Sequence, residues 1–173
     1  VLADGGHNLT AKVTDAAGQT SAASATLAVK IDTTAPAAPV EVGDSIVNGN
    51  QVLLNGTAEA NSTVKVYDGL TLVGTVVAKA DGTWSVTTSP LSDGSHNLTA
   101  TATDVAGNTS AASLPLDPII NTTPPAAPKI ASFSNDSGVV GDGITNDNTL
   151  TLTGTAVANS TVKVFDGTTQ IGT

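Results

Sequence analysis

One stretch of the sequence occurs twice, at residues 93–128 and at residues 4–39. Residues 93–128 begin D-G-S-H-N-L-T-A-T-A-T-D-V-A-G-N-T-S-A-A-S and end N-T-T-P-P-A-A-P. Residues 4–39 begin D-G-G-H-N-L-T-A-K-V-T-D-A-A-G-Q-T-S-A-A-S and end D-T-T-A-P-A-A-P, so the two copies align without a gap. Their constant spacing is 89 residues (93 minus 4). Self-similarity at a fixed spacing predicts an array of repeated structural units.

A second pair of matching segments sets the boundaries of the units. The text G-T-A-E-A-N-S-T-V-K-V-Y-D-G at 56–69 returns as G-T-A-V-A-N-S-T-V-K-V-F-D-G at 154–167, with extra residues inserted between Lys129 and Gly154. We therefore predict one complete repeat at 34–122, large enough to bury its own core. Residues 1–33 are predicted to be the last two strands, F and G, of a preceding repeat. Residues 123–173 are predicted to be strands A to C and the start of D of a following repeat.

The composition favours strands over helices. Aromatic residues make up only 2% of the chain, so Val, Leu, Ile and Ala must build the core, with Trp84 as the one large ring. Val and Thr are β-branched and favour extended backbone. No window has a sustained helical period of apolar residues. The chain is predicted to be all-β.

Short alternating runs separated by turn signals divide the complete repeat into seven predicted strands, the pattern of an antiparallel β-sandwich. Asp-Gly pairs at Asp68-Gly69, Asp81-Gly82 and Asp93-Gly94 are predicted tight turns. Trp84 is expected in the core. The predicted strands A to G are Val40 to Val42, Gln51 to Gly56, Thr63 to Tyr67, Thr71 to Ala78, Thr83 to Thr88, His96 to Thr103 and Ala112 to Ile120.

Charge and cysteine content exclude several classes of partner. The formal net charge is −9, which makes nucleic acid and anionic membranes poor partners and cations better ones. The sequence contains no Cys, so disulfides and thiolate sites are excluded. No apolar run is long enough for a transmembrane helix, and no membrane insertion is expected of this segment.

The repeated text resembles the bacterial immunoglobulin-like repeats of giant surface adhesins and biofilm-associated proteins. The residues that carry the resemblance are D-T-T-A-P-A-A-P at 32–39, the segment 56–69, D-G-T-W-S-V at 81–86 and L-T-A-T-A-T-D-V-A-G-N-T-S at 98–110. The resemblance implies tandem immunoglobulin-like seven-stranded antiparallel β-sandwiches, an extracellular or bacterial cell-surface location and, in many relatives, type I secretion. It also implies Ca²⁺ at domain junctions.

No catalytic pattern is present in the sequence. His7 and His96 occupy the same repeat position, which indicates a structural or surface role rather than a catalytic one. No nucleophile elbow, Walker loop or H-E-x-x-H motif occurs. We therefore predict that the segment is not an enzyme.

Carboxylates are the candidate metal ligands, because calcium prefers six to eight oxygen donors. In a seven-stranded sandwich the BC, DE and FG loops share one pole, where Asp32 arrives from the linker. The first junction is thus predicted to hold Ca²⁺ through Asp32, Glu59 and Asp104, with Asp81 a less favoured ligand. For Asp104 the alternative is a loop cap that hydrogen-bonds its own backbone. The other candidates are Asp15, toward the preceding repeat, and Asp136, Asp142 and Asp147 in the insertion.

The predicted function is that of a non-enzymatic spacer, stiffened by Ca²⁺, that projects an adhesive tip for cell adhesion or biofilm formation. Its expected partners are neighbouring immunoglobulin-like repeats and, through the distal tip, a host or abiotic surface. Two alternatives remain open: the repeats bind glycan or protein ligands themselves, or they are accessory modules of a secreted enzyme. The second junction has Asn121 and Val157 where the first has Asp32 and Glu59, so its calcium site is in doubt.

Overall fold

The computed structural model describes residues 1–134 and 136–173, and in this part of the chain every regular element is a β-strand. The prediction of an all-β fold is confirmed. The described residues contain no helix long and apolar enough to cross a bilayer. They form two compact units, Val1–Thr122 and Thr123–Thr173. The strands are β1 (Gly5–Leu9), β2 (Leu27–Ile31), β3 (Val40–Val47), β4 (Gln51–Thr57), β5 (Thr63–Asp68), β6 (Thr71–Val77), β7 (Thr83–Thr87), β8 (Gly94–Ser95), β9 (Leu98–Thr103), β10 (Ile119–Ile120), β11 (Lys129–Phe133), β12 (Leu152–Thr155), β13 (Val164–Asp166) and β14 (Thr169–Gly172).

The complete repeat contains two three-stranded antiparallel sheets, ordered β3-β4-β7 and β6-β5-β9. Alternation along the strands explains their packing, because successive side chains point to opposite faces of a sheet. In β4 the buried side chains are Val52 and Leu54, and in β5 they are Val64 and Val66, with half-buried residues between them. The buried side chains that form one hydrophobic cluster are Val52, Leu54, Val64, Val66, Val73, Ala78, Trp84, Leu91, Leu98, Ala100 and Ile120. The predicted β-sandwich is confirmed.

Trp84 packs directly on the backbone of the neighbouring strand. It lies in β7 opposite Gly56 of β4, and only 3% of it is exposed. A Cβ placed on Gly56 would lie 2.5 and 2.6 Å from two ring carbons of Trp84 and would also collide with the carbonyl oxygen of Val40. A glycine is therefore required at this position.

The predicted strand G, Ala112 to Ile120, differs from the observed structure. Only Ile119–Ile120 form a regular strand, paired with β8, and Leu116 makes an isolated bridge to Leu98. Along the rest of β9 the pairing is shared between side chain and backbone. Ser113 Oγ accepts from the Ala100 N–H and Ser110 Oγ from the Ala102 N–H, both at 2.9 Å, while the backbone N–H groups of the two serines donate to the Ala100 and Ala102 carbonyls. These side-chain hydrogen bonds compete with a regular ladder.

Two of the three predicted Asp-Gly turns occur as expected. Gly69 and Gly82 have positive φ angles of 57° and 81° in the turns that precede β6 and β7. The third prediction was wrong: Gly94 belongs to β8 and pairs with Ile120. Asp93 instead accepts hydrogen bonds from Thr122, which lies 29 positions further along the chain.

The partial repeats form hairpins of the kind seen in the complete one. β1 pairs with β2, and Gly5 lies opposite Ile31. The equivalent residues of the complete repeat, Gly94 of β8 and Ile120 of β10, pair in the same way. In the second compact unit β11 pairs with β12 and β13 with β14. Gly154 repeats the close approach of Gly56, because a Cβ there would collide with the carbonyl oxygen of Lys129.

Candidate functional site at the first repeat junction

Three loops meet at the end of the complete repeat where the linker enters. Thr57 pairs with Thr83 and Thr63 pairs with Thr103, so the loops that follow β4, precede β7 and follow β9 lie at one end. These loops carry Glu59, Asp81 and Asp104 respectively. Val40 pairs with Thr57, which brings the start of β3 and the linker to the same end.

Asp104 caps its own loop. Its Oδ1 accepts hydrogen bonds from the Ala106 and Asn108 backbone N–H groups, each at 2.9 Å. Its Oδ2 accepts from the Asn108 side-chain amide at 2.8 Å. These bonds, above all the one from the Asn108 side chain, favour the ionised carboxylate and lower the pKa of Asp104. Both oxygens are thus used within the loop.

Asp32 reaches this loop through its backbone rather than its side chain. Its carbonyl oxygen accepts a hydrogen bond of 3.0 Å from the side-chain amide of Asn108. Its carboxylate turns back to its own chain, where Oδ1 accepts from the Thr34 N–H at 3.3 Å and Oδ2 lies 3.8 Å from Lys30 Nζ. Asn108, which the sequence did not single out, therefore joins two of the predicted metal ligands.

Glu59 and Asp81 lie in two adjoining loops, because the Ala58 N–H donates to the Gly82 carbonyl at 2.9 Å. Asp81 Oδ1 accepts from the Thr83 hydroxyl and N–H at 2.7 and 2.9 Å, and these bonds lower its pKa. In the described ranges, 1–134 and 136–173, no three acidic or His side chains group in a way that could hold a metal ion. The carboxylates of Asp32, Asp81 and Asp104 each accept hydrogen bonds from their own loop or linker, and calcium at this junction stays a prediction.

The remaining candidate ligands also hydrogen-bond their own loops. Asp15 repeats the arrangement of Asp104, accepting from the Ala17 and Gln19 N–H groups at 2.9 Å each. In the insertion, three carboxylates accept from nearby backbone N–H groups: Asp136 from Gly141, Asp142 from Ile144 and Asp147 from Thr149.

Two aspartates at one repeat position hold the linkers. Asp4 accepts from the Thr33 N–H and hydroxyl at 3.1 and 2.8 Å and from the Thr34 hydroxyl at 3.0 Å. Asp93 accepts from the Thr122 N–H and hydroxyl at 2.9 and 2.7 Å. The bonds from Thr33, backbone first, lower the pKa of Asp4. The sequence signal for this contact is the spacing: Asp4 precedes Thr33, and Asp93 precedes Thr122, by the same 29 residues.

His96 is a buried structural residue. Its Nδ1 lies 2.8 Å from Asp68 Oδ2, its Nε2 lies 2.8 Å from the Ser92 carbonyl oxygen, and its side chain is 7% exposed. Both partners accept hydrogen bonds, so the doubly protonated ring satisfies both. The Ser92 carbonyl and then Asp68 raise the pKa of His96 above its usual value.

Comparison with known proteins identifies the class of the complete repeat. Residues 39–122 match the model of the family described as bacterial Ig-like domain. This part of the chain is a bacterial Ig-like domain, a module of a non-catalytic type. The resemblance drawn from the sequence is confirmed at this level.

Two individual proteins show more limited similarity. Chitinase A1 of Niallia circulans is 34% identical over 117 residues, which are 62% of this chain and 16% of the chitinase. A chain from a structure titled "Structure of Protease" is 20% identical, with a TM-score of 0.36 over 51% of this chain and 20% of that chain. The chain therefore spans only a small part of either protein.

Proposed function

We propose that this segment is a non-enzymatic spacer of a larger extracellular bacterial protein, in which tandem Ig-like repeats hold a functional domain away from its point of attachment. The observation that carries the proposal is the anchored linker. The preceding repeat binds Thr33 through Asp4, and the complete repeat binds the Asp32 carbonyl through Asn108. Each repeat would add roughly 30 to 40 Å, since strands of about eight residues rise about 3.3 Å each and loops add to this.

The chemistry of the side chains supports a spacer over a binding or catalytic module. Trp84 is buried, Tyr67 is half-buried, and His96 is engaged by Asp68 and a backbone carbonyl. The complete repeat therefore offers little of the exposed aromatic surface on which sugar rings stack. We place the segment in a surface adhesin, exported by type I secretion, whose distal tip serves cell adhesion or biofilm formation.

A second function has one specific observation in its favour. The match to chitinase A1 covers 16% of that enzyme, which is the share that an accessory module would occupy. Under this alternative the repeats separate the domains of a secreted enzyme. The segment itself remains a spacer, and only the cargo differs.

Domain replacement in the producing bacterium tests the spacer function. Residues 34–122 are exchanged in the gene for an unrelated Ig-like domain of similar length, and in a second strain they are deleted. We expect the exchange to preserve adhesion, or polysaccharide hydrolysis if the cargo is an enzyme, and the deletion to reduce it. Loss of the activity after the exchange, together with saturable glycan or protein binding by the purified chain, would overturn the proposal.

Calcium at the first junction is tested separately, by calorimetry on the chain after chelator treatment. Binding heat that Asp32→Ala and Asp104→Ala both abolish would support the calcium that the family resemblance implies. A parent chain without binding heat, or variants that respond like the parent, would refute it.

A further inference from the structure

The linker between the first two repeats is held from both sides by side chains of different repeats. Asp4, from the preceding repeat, binds the N–H and hydroxyl of Thr33. Asn108, from the complete repeat, donates to the carbonyl oxygen of Asp32, one residue earlier. Adjacent linker residues are thus bound by groups that are 104 positions apart in the sequence (108 minus 4).

The amide of Asn108 has one satisfactory orientation. Its Nδ2 donates to Asp104 Oδ2 at 2.8 Å and to the Asp32 carbonyl oxygen at 3.0 Å, which uses both of its hydrogens. Rotating the amide would place its oxygen against two acceptor oxygens. The Asp104 carboxylate is itself fixed by the Ala106 and Asn108 backbone N–H groups, so the donor is aimed before the linker arrives.

Two prolines of the linker are buried as well. Pro36 and Pro39 are buried, although residues 32–39 form no strand. Proline has a fixed φ, so this part of the chain loses little conformational freedom when it packs. The linker is therefore a packed part of the first compact unit.

The position of the Asn108 amide also bears on the mode of junction stiffening. A cation that bridged the Asp32 carbonyl and the Asp104 carboxylate would have to lie between those two oxygens. Asn108 Nδ2 occupies that position, 2.8 and 3.0 Å from them. An amide donor thus makes the connection that a metal ion would otherwise make.

We propose that Asp104, Asn108 and the Asp32 carbonyl form an interdomain clasp, by which the loop after β9 recognises the linker of the preceding repeat. The clasp deepens the proposed spacer function and rests on it. It fixes the direction in which the linker enters the next repeat through protein hydrogen bonds alone, and its partner is the linker backbone of another Ig-like repeat. At the same repeat positions, the preceding repeat has Asp15 and Gln19, again a carboxylate followed by a primary amide.

Amide hydrogen exchange on the full 173-residue chain tests the clasp, with NMR detection and chelator present throughout. The parent is expected to protect the N–H groups of Thr33 and Thr34. Asn108→Asp replaces the donor by a carboxylate that faces two oxygens, and we expect exchange at these two sites to accelerate about tenfold or more, the size expected for a lost hydrogen bond between partly buried groups. Gln19→Ala, at the repeat-equivalent position, is the matched control and should leave both rates unchanged.

A second measurement and a second variant distinguish loss of the clasp from loss of folding. Protection of Val52 and Val64 reports on the core, so a variant that lost it would be replaced by Asn108→Ala, for which the same linker acceleration is expected. Three results would overturn the clasp: an unprotected linker in the parent, equal linker rates in parent and Asn108 variants, or protection that appears only on adding calcium. None of them would decide the spacer function, which domain replacement tests independently.

Discussion

Residues at the same repeat position have very different surroundings in the complete repeat and in the partial ones. Leu54 in β4 is 1% exposed, whereas Leu152, its counterpart in β12, is 37% exposed. Leu98 in β9 is 1% exposed, whereas its counterpart Leu9 in β1 is 39% exposed. The hairpins form in both settings, because their pairing is local. Burial of the apolar face requires the opposing sheet, so we expect the repeat, rather than the hairpin, to be the unit of stability.

The largest effect that tests this comparison is the loss of folding in an isolated partial repeat. We expect residues 34–122 alone to give a dispersed amide NMR spectrum and one cooperative thermal transition. Residues 123–173 alone should give a collapsed spectrum, because isolated hairpins are marginal in water. A dispersed spectrum from 123–173 would contradict the comparison directly.

The second largest effect is a difference in stability between two variants, in which leucines at the same repeat position of a complete and a partial repeat are truncated to alanine. Leu54→Ala is expected to destabilise the chain by about 2 to 5 kcal/mol through lost burial and a cavity. Leu152→Ala should change the stability of the complete repeat by less than about 0.5 kcal/mol, as for exposed positions. Denaturant unfolding followed by Trp84 fluorescence reports on the complete repeat in both variants. Equal effects would show that the two leucines share one cooperative core.

Most of the sandwich was predictable because apolar and polar residues alternate along its strands, and this pattern is visible within a few residues of sequence. The predicted bounds of β4, β5 and β7 fall within one residue of those observed, since Val52, Leu54, Val64 and Val66 alternate with half-buried residues. β3 extends to Val47, well beyond the predicted Val42, because pairing with β4 continues through residues with no alternating pattern. The prediction of strand G was wrong over most of its length, because the Ser113 side chain accepts from the Ala100 N–H where a backbone ladder was expected.

The candidate site was predictable only in part, for a different reason. The repeat and the strand count were enough to place Glu59, Asp81 and Asp104 at one end of the domain. The partners of each carboxylate depend on contacts distant in sequence, such as Asn108 with Asp32, and no local spacing encodes these. The loop-cap alternative for Asp104 agrees with its observed bonds, whereas a three-carboxylate grouping is not found among the described residues.

The serine acceptors along β9 provide a smaller and finer test. Ser110→Ala removes the partner of the buried Ala102 N–H, and we expect a loss of about 1 to 3 kcal/mol in the free energy of unfolding. Ser21→Ala removes the equivalent bond to the Val13 N–H, which is exposed, so water can replace it. Its expected effect on the complete repeat is below about 0.5 kcal/mol. Denaturant unfolding of both variants measures the difference, and equal losses would show that exposure does not matter here.

The smallest expected effect is a pH dependence that arises from His96 in the complete repeat. His96 contacts Asp68 of β5 and the Ser92 carbonyl, and its neighbour Asn97 binds Asp117 from the segment before β10. Asp68 is the charged group in direct contact with the ring. His7, at the same repeat position, lies 2.7 Å from the Ala3 carbonyl oxygen through its Nε2.

Because folding raises the pKa of His96, its stabilising contribution is fully present below the unfolded pKa of about 6.5 and is lost as the pH rises through the folded value. The free energy of unfolding, measured between pH 5 and pH 9, should therefore fall across that window in the parent. In His96→Gln the fall should disappear, because glutamine keeps a donor but carries no titrating charge. His7→Gln should retain the fall, since it leaves His96 and its partner Asp68 unchanged. A slope that survives in His96→Gln would assign the pH dependence to another group.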